Sequence, residues 1–132
     1  MTTDPDIFSK NIAKNFIAEF GNHRYVTLAE IYSLELIEKT EKIEEAITSE
    51  DINSVRELAH SLISSSHAVG LLQLSSSFQS IQELSKSGNI DQIKKKVLET
   101  VALKEKSLIA LDEFLSNQSV QYRRIGLNCA NT

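Results

Sequence analysis

Apolar residues recur along this chain at helical intervals. Phe8, Ile12, Phe16 and Phe20 repeat every four residues, flanked by Ile17, and predict a first helix over about 7–20. Gly21 ends it, and Asn22 is placed to cap the next helix. That second helix is predicted over about 22–47, with Tyr25, Ala29, Tyr32, Leu36, Ile43 and Ile47 in one stripe. Leu28, Ile31 and Leu34 add apolar positions outside that stripe, which suits a helix whose upper part is covered by the first. Thr48 with Asp51 three residues on has the form of a capping box and opens a third helix over about 49–69.

On that helix, at about 100° per residue, Val55, Leu58, Ala59, Leu62, Ser66 and Val69 share one face. Gly70 fits its C′ position, where left-handed backbone is cheap for glycine. A fourth helix over about 71–87 buries Leu71, Leu74, Phe78 and Ile81. Ser75, Ser76 and Ser77 are poor helix formers, so packing must hold that stretch. Gly88 breaks the chain, and Asn89 with Gln92 three on starts a fifth helix over about 89–116. Its stripe is Ile90, Ile93, Val97, Val101, Leu108, Leu111 and Leu115, interrupted by Lys104, whose stem is expected to snorkel.

The periodicity stops after Asn117. Residues 118–132, with Arg123 and Arg124, are expected to be a flexible tail or irregular extension, and residues 1–6, with Pro5, a loose lead-in. Short connections make neighbouring helices antiparallel. The pattern therefore predicts an all-α domain over 1–117: an antiparallel up-down-up-down four-helix bundle from helices two to five, with the N-terminal helix as a cap.

Composition agrees. The chain has 132 residues, one domain's worth, with 41% hydrophobic and 24% charged residues, which argues against disorder. One Pro, four Gly and no Trp leave few breakers, which suits long helices better than a β-sandwich. A net charge of −4 argues against a nucleic-acid partner. The single Cys129 forms no internal disulfide and is compatible with a reducing compartment. No signal-peptide run occurs and no stretch approaches about 18 apolar residues, so a soluble cytoplasmic protein without a membrane partner is expected.

The outer side of the third helix carries the candidate chemistry. His60 points away from the aliphatic face, with Arg56, Ile63, Ser64 and His67 beside it at spacings of three, four and seven. Small residues one turn on leave room for another molecule to approach the ring. A lone helical His is most often a plain surface residue, and His67 and His23 read that way too. His60 and His67 lie two turns apart with no carboxylate or Cys between them, which argues against a metal pair. No Gly-rich phosphate loop appears, and kinase, protease and glycosidase constellations are absent. Glu38, Lys39, Glu41, Lys42, Glu44 and Glu45 read as a solvated face with helical ion pairs.

The stretch Ala59-His60-x-Leu62-x-Ser64-Ser65-Ser66-x-x-x-Gly70-x-x-x-Leu74 resembles the central motif of histidine-containing phosphotransfer (HPt) domains. The usual form is Ala-His-x-Leu-Lys-Gly-Ser-(Ser/Ala), followed by a Gly and a Leu. The chain departs from it at Ile63, where Lys is usual, and at Ser64, where Gly is usual. Gln82 falls where many members carry a Gln that hydrogen-bonds the active imidazole, and Lys86 lies one turn further. The resemblance covers roughly residues 10–116.

It implies a four-helix bundle that accepts a phosphoryl group on His60 from a receiver-domain aspartate and passes it to another receiver domain. Gln82 would orient the ring, and Ser64 would allow close approach. Lys86, with Arg56, would supply the positive charge that Ile63 does not. Ile63 would join an apolar docking patch from helices two and three, and His67 would stand near the site. The implied partners are response-regulator receiver domains and a hybrid sensor histidine kinase. The chain would be a monomeric, stoichiometric carrier and not an enzyme. It would hold no cofactor of its own, because the Mg²⁺ would belong to the receiver. Two rivals remain: a degenerate HPt-like module that binds receiver or kinase domains without being phosphorylated, and a helical adaptor in which His60 is incidental.

Overall fold

The computed structural model describes the backbone of residues 7–126 and the side chains of residues 7–118. The described residues form α1 (Lys10–Phe20), α2 (Asn22–Thr48), α3 (Ile52–Val69), α4 (Leu72–Ser87) and α5 (Ile90–Gly126), with no strand among them. α2 packs on α3, α3 on α4, α4 on α5, and α5 back on α2, while α1 lies against α2 and α3. Three side-chain contacts set α2 antiparallel to α3: Tyr25 with Val69, Tyr32 with Ser66, and Lys39 with Ser61.

The stripes of α2, α3 and α4 are buried as their spacing predicts. Tyr25, Ala29, Tyr32, Leu36, Ile43 and Ile47 from α2 meet Val55, Ala59, Leu62 and Val69 from α3, and Leu74, Phe78 and Ile81 from α4 join the same core. The serines of α4 are held by tertiary bonds. Ser75 Oγ donates to the Ile63 carbonyl at 2.8 Å, and Ser77 Oγ pairs with Thr100 Oγ1 of α5 at 2.5 Å. Such bonds keep buried hydroxyls satisfied where intrinsic propensity is poor.

Several boundaries differ from the sequence expectation, each for a local reason. Helix α1 begins at Lys10, not near residue 7, because Ser9 caps it by accepting from the Ile12 N–H at 3.2 Å. Phe8 lies ahead of the helix and packs on Phe114, ring centres 5.0 Å apart. Asn22 does not cap α2. Gly21 holds that position, and Asn22 Oδ1 instead accepts from Gln118 Nε2 at 2.8 Å. Thr48 is the last residue of α2 and bonds back to the Glu44 carbonyl, while Asp51 alone caps α3, accepting from the Ser54 N–H and hydroxyl. Ile31 and Leu34 are not covered by α1 and stand 60% and 71% exposed.

The buried face of α5 also lies to one side of the predicted stripe. It consists of Ile93, Val97, Thr100, Lys104, Ser107, Ala110, Leu111 and Phe114, with Val101, Leu108 and Leu115 half-buried at its edge. Phe114 draws it that way, because its ring meets both Phe8 and Tyr25. Lys104 buries its stem and places Nζ 3.4 Å from Glu105 Oε1, as snorkelling requires. The expected irregular tail is helical as far as Gly126, since no Gly or Pro interrupts residues 118–125. Residues 1–6 and 127–132, and with them Pro5 and Cys129, lie outside the described residues.

The turn after α3 is the tightest junction. Gly70 is left-handed at φ 101°, the Leu71 N–H reaches the Ser66 carbonyl at 2.9 Å, and the Ser9 N–H donates to the Gly70 carbonyl at 2.7 Å. A Cβ on Gly70 would lie 2.8 Å from the Ser9 carbonyl oxygen and 3.2 Å from the Phe8 ring. Gly88 is left-handed too, at φ 71°, but its Cβ direction is open. Gly88→Ala is therefore expected to lose about 1 kcal/mol, the strain alone, and Gly70→Ala about 3 kcal/mol, because backbone must also move. Urea denaturation of the two variants checks this. Equal losses would show that the Gly70 contact is not limiting.

Candidate functional site

α3 is a helix with two different sides. Val55, Ala59, Leu62, Ser66 and Val69 are buried inside the bundle, while His60, Ser61, Ser64 and His67 are exposed or at its outer edge. Because His60 is mid-helix, its backbone amide and carbonyl belong to the helical ladder, and the ring stands on a fixed base. Below it the helix is tied at three points. Tyr25 Oη donates to the Val69 carbonyl at 2.7 Å, Tyr32 Oη pairs with Ser66 Oγ at 2.6 Å, and Ser75 of α4 donates to the Ile63 carbonyl. Ser66 thus serves packing, as its place on the buried face predicts. Among the described residues Ser65 Oγ is a buried hydroxyl without a hydrogen-bond partner.

His60 and Ser64 are exposed and one turn apart, with His67 exposed one turn beyond Ser64. Ile63 and Arg56 are half-buried, and Ile63 packs against the edge of the core. Gln82 on α4 is half-buried, at the border between core and solvent. Among the described residues neither ring nitrogen of His60 and no atom of the Gln82 amide takes part in a hydrogen bond, so the two are not joined here. Lys86 is exposed and pairs with Glu83 on its own helix at 2.8 Å. The Lys86 ammonium is therefore turned to a carboxylate of α4 and not to His60.

Lys39, which the sequence places in a solvated charge run, behaves differently. Its Nζ lies 2.9 Å from Ser61 Oγ, across the seam between α2 and α3, and 3.7 Å from Glu35 Oε1. Ser61 is the residue directly after His60. The charge run itself gives no sign of this, because the contact depends on the register of α2 against α3. Elsewhere, a concave groove of about 330 Å³ between α2 and α5 is lined by Ser33, Glu105, Leu108, Ile109, Asp112 and Leu115 and contains none of these residues.

An exposed imidazole with neither nitrogen engaged in a hydrogen bond among the described residues suits nucleophilic transfer. Among the described residues no three His, Cys, Asp or Glu side chains are gathered to hold a metal ion. No described helix is long and apolar enough to cross a membrane.

Comparison with known proteins agrees with this arrangement. The chain matches the Hpt domain family over residues 27–116, a span that contains α3, α4 and His60. It is also similar to a solved structure, histidine-containing phosphotransfer protein B (HptB) from Pseudomonas aeruginosa PAO1. The TM-score is 0.80 at 14% identity, over 86% of this chain and 98% of that one, a likeness of fold. No curated protein matches the chain.

The two buried tyrosines give a pH dependence. Burial pushes the phenols of Tyr25 and Tyr32 well above their ordinary value, and for Tyr32 the Ser66 hydrogen bond offsets this in part while Glu35 adds to it. Unfolded phenols ionise from about pH 10, whereas the folded ones stay protonated. The unfolded state then binds fewer protons, so stability falls as pH rises above that value. Urea midpoints measured from neutral pH to beyond pH 10 should decline, with a shallower decline for Tyr32→Phe. At neutral pH Tyr32→Phe should cost about 1–2 kcal/mol, since it leaves the buried Ser66 hydroxyl unpaired. An unchanged high-pH slope in the variant would contradict this.

Proposed function

The chain belongs to the Hpt domain family, whose members are phosphocarrier modules and not catalysts, and from that premise we propose that it carries a phosphoryl group on His60 between receiver domains of a two-component phosphorelay. The observation that supports this most is His60 itself: an exposed imidazole in the middle of a helix whose other side is locked into the core. In the proposed step an imidazole nitrogen of His60 attacks the phosphorus of a receiver's aspartyl phosphate. A P–N bond forms, the P–O bond to the aspartate breaks, and the aspartate leaves as carboxylate. The ring keeps its proton on the other nitrogen. The return step reverses this toward a second receiver. Mg²⁺ would act on the receiver's side.

The finer parts of the reading come from position. The bundle would run up-down-up-down through α2 to α5 with α1 as a cap. Gln82, at the core–solvent border of α4, would turn to hydrogen-bond the ring and fix its tautomer. Ser64, small and exposed one turn on, would admit the receiver's aspartyl phosphate. Ile63 and the exposed Ile31 and Leu34 of α2 would give the receiver an apolar surface, with His67 at its rim and Lys86 available once released from Glu83. The partners would be a hybrid sensor kinase and a response regulator, met by a cytoplasmic monomer.

The test is transfer from a panel of phosphorylated receiver domains to the wild type and to His60→Gln. Acid-labile label on the wild type and none on the variant is expected. Gln82→Ala should keep the label but acquire it about tenfold more slowly, the worth of one orienting hydrogen bond. Receiver binding without label from any donor would instead support a degenerate module, the reading that Ile63 in the usual Lys position favours.

A further inference from the structure

α5 lies across the bundle from α3, and its outward face is left uncovered by the other helices. Leu98 stands 71% exposed there, and Ile109, three turns on, 61% exposed. Beside Ile109 is the groove of about 330 Å³ whose lining includes Glu105, Leu108, Ile109 and Asp112. Those four stand at i, i+3, i+4 and i+7, the positions that surround an inserted side chain where two helices interlock. One face of one helix thus carries both a projecting leucine and a hole of the form that receives one. We infer that a second copy of this chain docks on this face, α5 antiparallel to α5, with Leu98 of each copy seated in the hole of the other.

Charge selects the same pairing. The centre of the hole falls between residues 108 and 109. With Leu98 of the second copy opposite it, Lys94 and Lys95 of that copy, one turn before Leu98, come level with Asp112 and Glu113, one turn beyond the hole. At about 100° per residue, Lys94 and Asp112 share one edge of the outward face, and Lys95 and Glu113 share the other. A twofold axis between antiparallel helices sets each edge against the same edge of its copy, so basic meets acidic on both. All four side chains are exposed, and among the described residues none makes an ion pair within its own chain. Glu99 and Lys106 come level in the same way. Glu105, nearest the axis, is already paired with Lys104 of its own helix at 3.4 Å. Parallel packing would instead set Lys94 against Lys94 and Asp112 against Asp112.

The axis crosses α5 near residue 103, beside the small, exposed Ala102, where two helices can approach closely. Ile37 of α2, 42% exposed, is level with residue 103 in the register set by the bond between Gln118 and Asn22, and adds apolar area there. The facing stretch, Lys94 to Glu113, is about 30 Å long. One helix against one over that length buries less than about 1,200 Å², the range of weak, transient interfaces. The chain is therefore a monomer when dilute and pairs as its concentration rises. The pairing rests on nothing proposed for His60, and it leaves the outer side of α3 open in both copies.

Sedimentation equilibrium tests this, with thermal melts of each protein. Between about 10 µM and 1 mM the wild-type mass is expected to climb from one chain toward two. The double variants Lys94→Glu/Lys95→Glu and Asp112→Lys/Glu113→Lys should each stay at one chain over that range, because each sets like charges together twice. An equimolar mixture of the two should pair again, since each supplies the sign that the other has lost. Leu98→Ser, which removes two leucines from every dimer, should weaken pairing about tenfold or more. A wild type that holds the mass of one chain at 1 mM overturns the inference. So does pairing of either charge variant as strong as that of the wild type, or a mixture that stays monomeric while the wild type pairs. Restoration in the mixture alone cannot come from misfolding, and it supports the antiparallel register directly.

Discussion

Two tyrosine hydroxyls fix the relation between α2 and α3, and the site depends on that relation. Tyr25 supplies a donor to the Val69 carbonyl, one of the last carbonyls of α3 and so one with no partner in its own helix. Tyr32 joins the Ser66 hydroxyl inside the core. Both groups are buried, and an unpaired polar group there would cost more than the bond itself contributes. The two bonds therefore specify which residues of α2 lie beside which residues of α3. Once that register is set, His60 must face outward, and Lys39, two turns beyond Tyr32, must fall beside Ser61.

The end of α3 is closed by chain contacts that tolerate little change. Gly70 turns left-handed against Phe8 and the Ser9 carbonyl, so the segment before α1 is locked to the C-terminus of α3. Phe8 in turn meets Phe114 of α5, and Phe114 meets Tyr25. This aromatic chain joins the base of the site to the first and last helices. On the other flank α4 lies close to α3, held partly by serines that a larger side chain would push away. The result is a rigid base under an exposed imidazole. Such a base would suit the proposed carrier role, because a ring held in one place would need little reorganisation before each transfer.

The sequence made the long stripes of α2, α3 and α4 legible because each is a clean helical repeat with a uniform partner. It made helix ends less legible. The Thr48 hydroxyl was as good a cap in sequence as Asp51, and only the turn between them, with Glu50 at φ 59°, decides between the two. In α5 the buried face followed Phe114 and the small polar residues Thr100 and Ser107, whose burial depends on partners in other helices. The position of His60 was legible for the same reason as the stripe of α3, since a buried face defines an exposed one. The Gln82 and Lys86 roles were read from resemblance, and here their side chains are, respectively, without a bond to His60 and paired with Glu83. The contact of Lys39 was not legible at all, because contact between helices is set by register, which no local pattern records.

The most direct measurement is phosphorus and nitrogen NMR on the chain labelled with nitrogen-15 in its histidines and loaded from a phosphorylated receiver domain. If His60 is the carrier, one phosphorus resonance will couple to a ring nitrogen of His60, with the His23 and His67 rings unmodified. A phosphorus coupled to His67 or His23, or one with no nitrogen coupling, would contradict it.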